Sequence, residues 1–159
     1  MKKILLVLIS IVLTFGIAGC SNQASPNTPI TINEKALVEQ ILENDETPML
    51  EEPTDELLKD MFYLDESLYE SQYTMFSMFR TSATNVSIVK PKENQYDAVK
   101  DALTKRKEDV LGVFEHYPIE PAISVATNGC VIEKNGYIIL LMVENQEGAL
   151  AKINEAFAQ

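Results

Sequence analysis

The stretch ISVATNGCVIEKNGYIILLMV, residues 123–143, decides the fold. Asn135-Gly136 divides two runs rich in β-branched and aliphatic residues. Asn-Gly tolerates the positive φ angles of a type I′ turn, whose twist matches that of the strands it joins. Residues 123–134 and 137–143 are therefore expected to pair as a β-hairpin. Counting across the turn sets Ile132 opposite Ile139 and Cys130 opposite Leu141, on one face of the sheet. The second run, Tyr-Ile-Ile-Leu-Leu-Met-Val, shows no polar alternation. That is the pattern of a strand covered on both faces.

Outward from the hairpin, the chain reads as helices and further strands. A helix starts at Asn94 and ends at Pro118, with Tyr96, Val99, Leu103, Val110, Phe114 and Tyr117 at mostly three- and four-residue steps. At 1.5 Å per residue it spans about 33 Å, enough to cross a small sheet. Val86-Ser87-Ile88-Val89-Lys90, stopped by Pro91, reads as a strand, and residues 81–85 before it as a turn. The aromatic-rich segment ahead of that turn suggests another strand over 72–80. Asn33 is placed to cap a helix over 34–43, and Pro53 suits the first position of a second helix ending near residue 65. A last helix is expected over 146–157, with Leu150, Ile153, Ala156 and Phe157 inward. The expected fold class is α+β, an antiparallel sheet of about four strands packed by a long helix and by shorter N- and C-terminal helices.

The other end of the chain specifies an address. Met1-Lys2-Lys3 is a short cationic start, and residues 4–17 form an apolar run. At about 14 residues this run is short of the roughly 20 a spanning helix needs, but it suits the core of a secretory signal. Ile17-Ala18-Gly19-Cys20 follows, and it resembles a bacterial lipobox. That resemblance implies diacylglycerol on the Cys20 thiol, cleavage between Gly19 and Cys20, and further acylation by a palmitate-type chain. Each buried CH₂ contributes about 0.8 kcal/mol, so two or three chains hold a protein at a membrane where one does not. Residues 21–29 are polar, contain Pro26 and Pro29, and read as a solvated spacer. The expected organisation is a lipoprotein signal peptide over 1–19, a lipidated cysteine and flexible tether over 20–32, and a single α+β domain over 33–159. The expected location is the extracytoplasmic face of the cell membrane.

Charge narrows the partners. The 159-residue precursor carries a net charge of −11, and loss of Lys2 and Lys3 with the leader deepens it to −13. A field of this sign repels nucleic acid and anionic lipid headgroups. Attachment to a membrane therefore needs a hydrophobic device, and lipid on Cys20 is the expected one. With Cys20 acylated, Cys130 has no partner within the chain, so no disulfide framework is available.

Catalytic and metal-binding constellations do not emerge. His116, the sole histidine, falls in the last turn of the long helix, where an imidazolium complements the helix dipole. Cys130 shares a face with Ile132 and is expected to look inward as a buried apolar thiol. Glu43, Asp45, Glu46, Glu51, Glu52, Asp55 and Glu56 lack the spacing and turn-forming glycine of a calcium loop and read as a solvated acidic surface. Lys105-Arg106-Lys107 is offset by neighbouring acids, with Arg106 a candidate for an internal salt bridge. Ser82 and Thr84 suit a turn better than a nucleophile elbow. The aromatic series Tyr69, Tyr73, Phe76 and Phe79 suits core packing, with a ligand groove as the other reading.

From about residue 57 onward the chain resembles bacterial lipoproteins of the domain of unknown function 4358 family. The features that carry the resemblance are Ser82-Ala83-Thr84 leading into residues 86–90, Val99 and Arg106 on the long helix, Phe114, Tyr117-Pro118, and the hairpin around Asn135-Gly136-Tyr137. The family carries no assigned activity, so the resemblance implies no catalytic residue and no cofactor. The functional expectation is a non-enzymatic binding or accessory module presenting a surface to an envelope protein or polysaccharide. A solute-binding lipoprotein and a surface hydrolase are the alternatives.

Overall fold

The computed structural model describes residues 30–158. The leader, Cys20 and the tether up to residue 29 lie outside them. The order of elements is α1 (Glu34–Leu42), β1 (Leu50–Glu51), α2 (Asp55–Phe62), β2 (Tyr69–Ser77), β3 (Asn85–Pro91), α3 (Tyr96–His116), α4 (Ala122–Asn128), β4 (Cys130–Lys134), β5 (Tyr137–Met142) and α5 (Gln146–Ala156). The strands form one antiparallel sheet in the order β1-β2-β3-β5-β4.

The hairpin pairs as its sequence dictates. Cys130 lies opposite Leu141, and Ile132 opposite Ile139. Asn135 and Gly136 take φ of 48° and 83°, the positive values the turn requires. Every residue of β5 is buried. Alternate side chains of the strand point to opposite faces. Ile138, Leu140 and Met142 join a cluster with Leu58, Phe62, Val99, Leu103, Val110 and Phe114 beneath α2, α3 and α4. Tyr137, Ile139, Leu141 and Val143 join the opposite cluster with Leu37, Val38, Ile41, Ile153 and Phe157 beneath α1 and α5. The result is three layers, with the sheet in the middle. Ile30 and Ile32 already pack on the α1 side. Among the described residues, no helix is long and apolar enough to cross a membrane.

The helix caps follow local chemistry. Asn33 Oδ1 accepts from the Ala36 amide at 2.9 Å, and Thr54 Oγ1 accepts from Leu57 at 3.3 Å. Such caps satisfy amides that have no partner within their helix.

Four expectations need correction. The sheet has five strands rather than about four; β1 is only two residues long, too short for a period, and exists because Leu50 and Glu51 pair with Ser77 and Phe76. The strand expected over 72–80 runs instead over Tyr69–Ser77. Beyond it the chain leaves the sheet, with Ser77 Oγ donating to the Pro48 carbonyl at 2.7 Å and accepting from the Phe79 amide at 3.1 Å. Asn85, placed in the turn, instead opens β3 and pairs with both Phe76 and Met142. The first half of the run over 123–134 is the helix α4, not strand. Ala122, Val125 and Ala126 share a helical face that the first cluster buries, so burial overrides β propensity. Gly129 ends α4 where an added Cβ would stand 2.9 Å from Met142 Cγ.

Both clusters draw on residues within 30–158, so this stretch carries its own core. Residues 30–159 are expected to unfold in one cooperative urea transition. Leu140→Ala in that background is expected to cost about 3 kcal/mol without changing the denaturant slope. A loss below about 1 kcal/mol would contradict the two-sided burial of β5.

Candidate functional site

On the α3 side of the sheet, the first cluster is not fully roofed. β2 ends at Ser77, and residues 78–82 after it form one wall. The end of α3 and the turn after it, through Tyr117 and Ile119, stand opposite. Between them lies a groove of about 690 Å³. Its walls are Met61, Phe76, Met78, Phe79, Val110, Val113, Phe114, Tyr117 and Ile119, with Arg80, Thr81 and Ser82 along one edge and Arg106 and Asp109 on the α3 side.

Five wall residues expose apolar surface that a solvated rim would not carry. Relative exposures are 45% for Met78, 46% for Phe79, 54% for Val113, 72% for Tyr117 and 40% for Ile119. Single exposed apolar residues are ordinary, whereas a contiguous set around a concavity marks a binding surface. Tyr117, expected to face inward from the long helix, instead lies just past its end as the C-cap and is exposed. The chain turns there toward Pro118 and cannot continue the helical face.

Arg106 is the polar group of the site. Nε and Nη2 both donate to Asn85 Oδ1, at 3.0 and 2.9 Å. Asn85 is itself buried, and its Nδ2 donates to the Ala83 carbonyl at 3.0 Å. The guanidinium carbon sits 4.5 Å from the centroid of the Phe62 ring, which meets Phe76 edge-on at 5.5 Å. Burial lowers the Arg106 pKa to about 10, against the attraction of Asp109 and Tyr63, so the cation persists at neutral pH in a desolvated setting. Among the described residues, no internal salt bridge forms on Arg106. The ion pairs among the described residues are Lys35–Glu39, Lys59–Asp65, Lys90–Glu70, Lys100–Glu133 and Lys105–Asp109. The hydrogen-bond partner of Arg106 is neutral, and Asp109 attracts the charge without forming an ion pair with it.

Asp109 belongs to a separate set of contacts. The Tyr63 hydroxyl donates to Oδ2, and Lys105 Nζ approaches Oδ1 at 3.1 Å. The Tyr63 hydrogen bond, and then Lys105, hold this carboxyl below the usual range for an aspartate.

The other candidates are scattered. His116 is exposed, and its Nδ1 shares a hydrogen bond with the Gly112 carbonyl at 2.8 Å. Cys130 is a half-buried free thiol on the α5 side, where Gln146 Nε2 donates to Sγ at 3.0 Å. Ser82 Oγ accepts from the Thr84 amide at 3.2 Å, and Thr84 Oγ1 pairs with Thr47 Oγ1 at 2.8 Å. These contacts are turn and packing chemistry, and none joins Ser82 or Thr84 to Cys130 or His116, or those two to each other. Among the described residues, no group of three or more His, Cys, Asp or Glu could hold a metal ion. Of the aromatic series only Phe76 and Phe79 reach the groove; Tyr69 and Tyr73 pack on opposite faces of the sheet. A second hollow, of about 240 Å³ between α1 and α5, is edged by Asn44, Asp45, Glu46, Glu144, Asn145 and Lys152 and is smaller and more polar.

Asn85→Leu is expected to destabilise the domain by about 2 kcal/mol in urea unfolding, because it strands two donors of a desolvated cation. In Tyr63→Phe the Asp109 carboxyl, followed by NMR, should titrate at higher pH than in wild type. The sign follows from the depressed folded-state pKa: the stability it supplies is present above about pH 4 and is lost as pH falls through the folded value. An unchanged Asp109 titration would refute the assigned hydrogen bond.

No curated protein and no solved structure matches the chain. A family model described as Domain of unknown function (DUF4358) matches residues 43–144. The matched span holds all five strands, the helices α2, α3 and α4, and every residue of the groove. By that match over more than half its length, the chain belongs to the DUF4358 family.

Proposed function

We propose that this protein is a membrane-anchored extracytoplasmic lipoprotein, held by lipid on Cys20, whose domain is a non-enzymatic binding module at the cell envelope. The groove beside α3 carries the binding part of this reading. It combines exposed apolar side chains with one held guanidinium that has no ion pair among the described residues, which is the composition of a recognition site: an apolar lining with few placed polar groups. The leader supports the anchor: cationic start, short apolar run, small residues and Cys20 in that order. The acidic domain offers no electrostatic route to anionic headgroups, so attachment needs a hydrophobic device, which lipid on Cys20 would supply.

Among narrower readings, solute capture is favoured over hydrolysis. The groove volume of about 690 Å³ falls in the usual range for small-molecule sites. A hydrolase needs a nucleophile and base within hydrogen-bond reach, and Ser82 and His116 each bond to backbone instead.

Two experiments test the proposal. Growth with labelled palmitate is expected to label the wild-type protein and to leave Cys20→Ala unlabelled. Absence of label on wild type, or label that survives the substitution, would remove the anchor. A photocrosslinking residue at Val113, on the groove wall, is expected to capture an envelope component in living cells, and the same probe on exposed Glu155 of α5 is not. Equal capture at both positions would overturn the groove as the binding surface.

A further inference from the structure

The groove's charge is unlike that of the rest of the molecule. The chain has 24 acidic residues, and only two arginines, Arg80 and Arg106. Both arginines line this groove, and Asp109 is the single acid on its walls. Asp109 is already engaged by Tyr63 and Lys105. In a protein of net charge −11, this is a local positive site set among apolar side chains.

The geometry of Arg106 leaves a defined part of its fork free. A guanidinium carries five N–H donors. Asn85 takes one from Nε and one from Nη2. Both Nη1 donors and the second Nη2 donor make no hydrogen bond among the described residues. Nη1 is not sealed in the core, where Ser87 Oγ is the buried side-chain polar atom left without a partner among the described residues. Arg106 lines the groove. The free edge, Nη1 with Nη2, is the end-on face that matches the two oxygens of a carboxylate. Asn85 on one edge and the Phe62 ring against the plane hold that edge in place.

Two of the other polar wall groups, the Ser77 and Ser82 hydroxyls, are occupied, which leaves Arg80, Thr81 and Tyr117. Ser77 Oγ bonds to Pro48 and Phe79, and Ser82 Oγ to Thr84. A peptide laid in the groove would bring backbone N–H and C=O groups that need partners, and the walls have few to offer. An aliphatic chain needs none, and the flexible thioethers of Met61 and Met78 adapt to one.

We infer that the groove binds a small amphipathic carboxylate of the fatty-acid class, its head group on the free edge of Arg106 and its aliphatic chain along Met61, Val110 and Phe114. This assignment rests on the groove being the binding surface of the module.

The test is calorimetric titration of residues 30–159 with dodecanoate below its micellar concentration. One saturable site per chain is expected. Dodecanol, with the same chain and no charge, is expected to bind at least tenfold more weakly, and dodecylamine not to bind. Arg106→Gln should weaken dodecanoate at least tenfold while affecting dodecanol little. Since that change also removes the contacts with Asn85 and Phe62, Val113→Glu on the exposed wall is the second variant. It is expected to keep the wild-type melting temperature and lose dodecanoate. Absence of a saturable site, equal affinity for dodecanoate and dodecanol, or full binding by Val113→Glu would overturn the assignment. So would displacement of dodecanoate by an apolar pentapeptide at lower concentration than by unlabelled dodecanoate. Capture at Val113 in cells answers the broader question separately. With capture retained and dodecanoate unbound, only the ligand class falls; with neither, the groove falls as well.

Discussion

Burial of β5 from both sides is the constraint from which the rest of the architecture follows. A strand of six apolar residues has no solvent face, so each face must be covered by other elements. The single chain meets that demand with α2, α3 and α4 on one side and α1 and α5 on the other. Neighbouring strands respond to the same demand. Val86 and Ile88 of β3 face the α1 side, while Val89 faces α3. The long helix α3 is placed where Val99, Leu103, Val110 and Phe114 complete the larger cluster. Each fully buried side chain of this kind contributes roughly 1.5–3 kcal/mol relative to exposure, so the layers stand or fall together.

The groove is what remains where this covering stops short. β2 ends at Ser77, and beyond it one end of the larger cluster has walls but stays open. Arg106 belongs to this arrangement in a specific way. The inward positions of α3 step from Val99 to Leu103, then to Arg106, Val110 and Phe114, which is the spacing of one helical face. Arg106 therefore occupies a core-facing slot, while Lys105 turns to Asp109 and the Tyr63 ring, at 4.6 Å. A cation in such a slot must be held by hydrogen bonds, because leaving it unpaired is costly. Asn85, fixed at the start of β3 by pairing with Met142, supplies the acceptor. The protein thus keeps a charge at the edge of its core that a leucine could have replaced.

The family match divides the molecule along a physical line. Residues 43–144 contain the sheet, the helices over its groove side and the groove itself. α1 and α5, which seal the other face, fall outside the match. The groove and the sheet beneath it are thus the part of this chain that the family model describes, and the opposite layer is a cover.

Local pattern was enough for much of this structure. The Asn135-Gly136 turn, the register of Cys130 and Ile132 against Leu141 and Ile139, the two-sided burial of β5, the Asn33 cap and the long helix were all legible, because each is encoded within one turn of chain or one period of a helix or strand. The slot at Arg106 was legible in part: the apolar steps along the long helix skip from Leu103 to Val110, and the skipped position is this arginine. What only the tertiary structure decided depends on residues far apart in sequence. β1 exists through pairing with β2, 25 or more positions away in the chain. α4 presents Ala122, Val125 and Ala126 on one helical face that the larger cluster buries. Arg106 meets Asn85 across 21 positions, and the groove forms from three segments that no local window contains. Short-range propensity carries no information about which distant surface will cover a side chain, and that covering is what turned an ordinary basic cluster and an aromatic run into one site.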